Sequence, residues 1–176
     1  MSQPRLEIDD PAAYRAMLEK RVDGRDPLAI MAETADHLAS IVRERGEHLT
    51  ARPFEGKWTP VEILGHLVDT EWVFGARMRA IAFDDRPTLV GMDPDRWVEG
   101  HRHVDRHPAA LVEEFRALRQ INLAVWRSLT DAHLDRVGLH NERGEEKLRT
   151  IRMMCAGHDL HHIEQLGTYL DAAAAG

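Results

Sequence analysis

The sequence predicts an all-α four-helix bundle, and three observations carry that expectation. Apolar residues recur at helical spacing through four long stretches, beginning at Pro27, Pro60, Pro108 and Ile151. Proline stands at the opening of the first three, where a helix has no use for its N–H. No stretch shows noteworthy strand-type alternation of apolar and polar residues.

A short extra helix precedes the bundle. Asp10 is placed to cap it, Pro11 suits its first turn, and Tyr14, Met17, Leu18 and Val22 form its stripe before Gly24. Asp26 and Pro27 then open a long amphipathic helix through Leu28–Arg45, with Ile30, Met31, Leu38, Ile41 and Val42 inward and Gly46 beyond its end. Residues 46–58 read as loop. Thr59, Pro60 and Glu62 form a capping box for the next helix, which runs to about Phe83 through Ile63, Leu67, Val73, Phe74, Met78 and Ile81. His66 falls on this helix's apolar face, in line with Ile63, Thr70, Val73 and Arg77.

Asp84–His107 is a long connection between the second and third long helices, of the length that is usually functional or disordered, and Trp97 argues for a packed one. Pro108 opens a helix to about Leu129 through Leu111, Phe115, Leu118, Ile121, Leu123, Val125 and Trp126, and Thr130–Leu134 adds a further turn. Val137–Arg149 holds Gly138, Asn141 and Gly144, which fits a crossover or a small hairpin. Thr150 is placed to cap the last helix, Ile151 to about Ala173. That helix is apolar on more than one face. Leu160, Ile163 and Leu170 lie away from its histidine face, which predicts a central helix or a homodimer interface.

Composition bounds the function. The 176 residues fit a single domain over 1–176, with a core of about 27–172. Thirty acidic against 23 basic side chains give a net charge of -7, which disfavours a nucleic-acid partner. No apolar run reaches the ~20 residues of a membrane span, and the polar opening MSQPRLEIDD lacks the apolar core of a leader. A cytoplasmic protein is the expectation, with Cys155, the single cysteine, forming no internal disulfide.

The chemistry concentrates in GHDLHHIEQLGTY, residues 157–169. His158 and His162 are four apart, so on a helix they lie one above the other on a single face. Two imidazoles so placed can grip one metal ion, and His66, inward on a different long helix, is the best candidate for a third ligand. The competing reading is three separately hydrogen-bonded core histidines, each needing its own partner. His161 stands at the edge of the ligand face, as a supporting or surface group. His37, His48, His133 and His140 have no partner pattern and read as solvated; His101, His103 and His107 cluster in the long loop, which reads as solvated or as a lid that brings one of them near the metal. Asp69 and Glu62 flank His66 on its helix and are candidates to hold its second ring nitrogen. Arg77 places a cation on the same face, to recognise an anion or to pair with Glu62 or Asp69. Cys155, off to one side of His158, reads as a packing residue.

WTPVEILGHLVDTEW followed by GHDLHHIEQL resembles the DinB/YfiT-like superfamily of metal-dependent four-helix bundles, and PTLVGMDPDRW resembles the loop of one of its subgroups. The resemblance covers residues 27–172. It implies His66, His158 and His162 as ligands of a divalent ion, zinc or nickel above others, in a homodimer acting on a small molecule. It also implies a transferase that activates a low-molecular-weight thiol, or a hydrolase, or a stress-related metal-binding module without turnover. Nothing in the resemblance assigns a catalytic side chain.

Overall fold

The computed structural model describes residues 10–175, so most of the polar opening stretch lies outside the described residues. Its helices are α1 (Pro11–Val22), α2 (Pro27–Arg45), α3 (Pro60–Phe83), α4 (Pro94–Gly100), α5 (Pro108–Ser128), α6 (Asp131–Leu134) and α7 (Leu148–Ala175). Three short strands, β1 (Thr88–Leu89), β2 (Val137–His140) and β3 (Gly144–Lys147), make one small sheet.

The expected openings form as the side chains dictate. Asp10 accepts from the amides of Ala12 and Ala13, and Asp26 from that of Leu28. Thr59 and Glu62 close the full capping box on α3. The last helix departs from expectation: it begins at Leu148, so Thr150 lies inside its first turn and caps nothing. The hairpin alternative holds for the preceding segment, because β2 and β3 pair antiparallel, with Val137 opposite Lys147 and His140 opposite Gly144. β1 adds to β2 in parallel.

α2, α3, α5 and α7 form the bundle. α2 packs on α5 and α7, and α3 packs on the same two, so α2 and α3, consecutive long helices, sit diagonally. α1 lies against α7 at Gly157, where a Cβ would come within 2.6 Å of the Leu18 carbonyl oxygen. That contact removes the sequence argument for a dimer. Leu18 and Leu170 are buried, and Leu160 and Ile163 pack against the apolar clusters of their own chain, so α7 is central. No helix among the described residues is long and apolar enough to cross a membrane.

The core divides into two apolar clusters, one at each end of the bundle. One gathers Ile30, Met31, Met78, Ile81, Trp126 and Ile151; the other gathers Leu38, Leu64, Leu67, Phe115, Leu166 and Tyr169. Between them each helix turns polar side chains inward: Thr34 on α2, His66 and Glu71 on α3, Arg119 and Asn122 on α5, and His158, Asp159 and His162 on α7. On α5, Ile121 faces solvent instead of the core, and Arg119 and Asn122 hold the inner positions.

The long connection is not a bare loop. It carries β1, α4 and a turn of 3-10 helix over His103–Asp105. Its anchors are Val98 and His103, both buried, whereas Trp97 is exposed.

Candidate metal centre

α3 and α7 bring His66, His158 and His162 together in the polar belt. His158 Nε2 stands 3.1 Å from His66 Nε2 and 3.1 Å from His162 Nε2. All three residues are buried. Burial first, and then mutual repulsion between the imidazoles, pushes each pKa well below its ordinary value, so the rings are neutral at pH 7. Neutral imidazole is the form that binds metal.

The hydrogen-bond account is incomplete without a cation. His162 Nδ1–H donates to Gln165 Oε1 at 2.8 Å, and Gln165 in turn donates to the Tyr169 hydroxyl. This leaves a lone pair on His162 Nε2. One proton on His158 Nε2 cannot make two well-aligned bonds, to His162 and to His66 at once. His66 Nδ1 is also buried without a partner, which an ion at Nε2 would leave unchanged. Four tetrahedral ligands 2.0–2.1 Å from an ion stand roughly 3.3 Å apart, close to the observed separations. The three nitrogens therefore fit a divalent ion.

The cluster forms part of the wall of a cavity of about 410 Å³. Trp58 and Phe74 pack on His66 and His158, with ring centroids 4.8 and 5.8 Å apart. α1 contributes Tyr14, whose pKa burial pushes up to about 12, so its hydroxyl stays protonated. His161 also reaches the cavity, and burial lowers its pKa to about 4.

Several sequence expectations around the site do not hold. Asp69 is turned away from His66 and accepts from His101 and His103, each at 2.9 Å. Glu62 is engaged in its capping box and pairs with Arg52. His103 and His140 are buried, not solvated. Arg77 lines the cavity but pairs with neither Glu62 nor Asp69; it donates to the Val90 carbonyl at 2.6 Å and faces His140 Nε2 at 3.2 Å. Cys155 is buried, and burial pushes its thiol pKa well up, which fits packing rather than ligation.

The comparisons with known proteins agree with this architecture. The profile of the DinB superfamily matches residues 29–166. The chain belongs to that superfamily. Among solved structures it is similar to YfiT from Bacillus subtilis, described as a probable metal-dependent hydrolase with an unusual four-helix bundle topology. Identity is 20% and the TM-score 0.73, over 96% of this chain and 91% of that one. No curated protein matches the chain.

Sequence reasoning missed a second buried cluster beside the histidines. Arg119 donates to Asp159 at 2.5 and 3.0 Å and to Glu71 at 2.8 Å. Thr34 donates to Asp159 at 2.7 Å, and Asn122 to Glu71 at 2.7 Å. The signal was present: Phe115, Arg119, Asn122 and Trp126 share one face of α5, so an Arg sat inside the apolar stripe.

Proposed function

We propose that His66, His158 and His162 hold one divalent ion, zinc or nickel, and that the protein is a metal-dependent transferase joining a low-molecular-weight thiol to an electrophilic small molecule. The observation that carries this reading is the convergence of three neutral Nε2 atoms at the wall of a cavity. An ion held there supplies a Lewis acid that lowers the pKa of a thiol or a water molecule bound beside it. Three protein ligands leave a coordination position free, the mark of catalytic rather than closed structural sites.

The surrounding residues serve this chemistry in definite ways. Gln165 fixes the His162 tautomer, keeping its Nε2 lone pair directed at the site. Trp58 and Phe74 cover the imidazoles, limiting water around them. Tyr14 keeps its proton and can donate a hydrogen bond to a bound substrate. The cavity volume lies within the ordinary small-molecule range of about 300–1,000 Å³ and exceeds what a water nucleophile alone would need. Thiolate is a soft donor, which suits it to zinc or nickel.

Hydrolysis is the second reading, favoured by the description of YfiT as a probable hydrolase. The two separate in one experiment. Metal-stripped protein, reloaded with zinc or nickel, is assayed with a thiol and 1-chloro-2,4-dinitrobenzene, and in parallel with a panel of activated esters. Conjugation that chelation and His158→Ala both abolish supports the transferase. Ester cleavage alone, equally chelator-sensitive, replaces it with the hydrolase. A metal whose removal lowers only the melting temperature leaves a binding module.

A further inference from the structure

A second group of potential ligands lies outside the cavity, where residues 101–103 dock on α3. His101 Nδ1 and His103 Nε2 each stand 2.9 Å from a different oxygen of Asp69. The three ligand atoms all lie within 4.8 Å of one another. None of the three residues lines the cavity of the first site.

Three features set this group apart from an ordinary buried acid. Asp69 is 3% exposed, yet no Arg or Lys pairs with it among the described residues; its only partners are imidazoles. A carboxylate out of water is costly unless its charge is matched. His103, 2% exposed, turns Nε2 to Asp69, and its other ring nitrogen has no partner. Its fit against α3 depends on Gly65, where a Cβ would come within 2.1 Å of the His103 ring. His101, by contrast, is about half exposed, which leaves one side of the group open to solvent.

We propose that Asp69, His101 and His103 form a second divalent-cation site, independent of the three-histidine cluster. Two imidazole nitrogens and one carboxylate oxygen suit a first-row divalent ion such as zinc, with further positions open to water through the exposed His101 side. A bound cation matches the Asp69 charge, which no Arg or Lys among the described residues does. The site also ties the connection to α3. That connection supplies Met92, Pro94 and Asp95 to the cavity wall, so an ion at Asp69 steadies part of that wall.

The test is a count of ions. Full-length protein, stripped and equilibrated with micromolar zinc, is desalted and analysed for metal, alongside His158→Ala, His101→Ala and the double variant. The expected counts are two ions per chain in the parent, one in each single variant and none in the double. Asp69→Asn, which keeps the side-chain shape, is expected to match His101→Ala. Circular dichroism checks that each variant is folded. Unchanged counts in His101→Ala and Asp69→Asn overturn the second site while leaving the first intact. Loss of an ion in His101→Ala but not in His158→Ala supports the second site and removes the first.

Discussion

α3 and α7 each place two opposed kinds of chemistry at the same level of the bundle. On one side lie His66, His158 and His162; on the other Arg119, Glu71 and Asp159, with His158 and Asp159 adjacent in sequence and facing different clusters. The Arg119 cluster has two carboxylates on one guanidinium, with Thr34 and Asn122 donating to the acids. The two acids and the guanidinium pair with one another, and Arg119 also donates to the Met31 carbonyl, while its Nε lacks a partner. The histidine cluster is the reverse. Its rings are uncharged, its Nε2 atoms face one another, and His66 Nδ1 is left without a partner. Both are buried in a helical core, so burial alone does not mark function. A polar cluster whose opposite charges pair within it holds helices together, and one whose neutral nitrogens converge with no charge between them is suited to a cation.

The comparison can be broken most forcefully with pH. In the histidine cluster the folded pKa values lie below the unfolded value of about 6.5, so below that pH the unfolded chain binds more protons. Metal-free protein therefore has its full stability above about pH 6.5 and loses stability as pH falls below it, by at most roughly 1.4 kcal/mol per pH unit for each of these histidines. Arg119 behaves oppositely. Burial pulls its pKa down, but Asp159 and Glu71 outweigh that and raise it, so its contribution is present throughout this range and is lost only in strong alkali. Urea melts of stripped protein across pH 5–8 check the slope, and a flat profile would count against neutral buried imidazoles. Zinc at about 100 times its dissociation constant should add about 2.7 kcal/mol at neutral pH.

The next effect in size belongs to the other cluster. Arg119→Met leaves two buried carboxylates without their cation and should cost about 3–5 kcal/mol in urea unfolding. Should the variant fold, it is expected to keep its zinc. A stability change under 1 kcal/mol would show that the cluster does not hold the helices. The smallest effect sharpens the boundary between the two regions. Cys155 touches the core rather than the imidazoles, so Cys155→Ala should lower stability by about 1 kcal/mol and leave the metal content unchanged. A lost ion would instead assign Cys155 as a ligand.

Much of this was legible in the chain. Capping residues and apolar periodicity marked α1, α2, α3 and α5, because those signals are local. The i, i+4 pair His158 and His162, with His66 on another inward face, marked the cluster that the structure assembles. The partners of Asp69 were not legible. A helix position three residues from His66 fixes a direction only approximately, and its real partners, His101 and His103, arrive from a connection whose path no periodicity specifies. The start of α7 was misplaced because Thr150 has the chemistry of a cap, while the β2–β3 hairpin delivers the chain already turning at Leu148. Of the two readings of α7, central or interfacial, the central one describes it within the chain, because α1, a helix too short to advertise it, covers α7 at Gly157.

The central claim is that His66, His158 and His162 act together on one ion. His158 is the ring in contact with both others, so it is the residue to remove. The measurement is the metal content per chain of His158→Ala against the parent, both reloaded with zinc and desalted, with circular dichroism confirming the helices. The account predicts one ion fewer in the variant. Equal metal content in two folded proteins would contradict it.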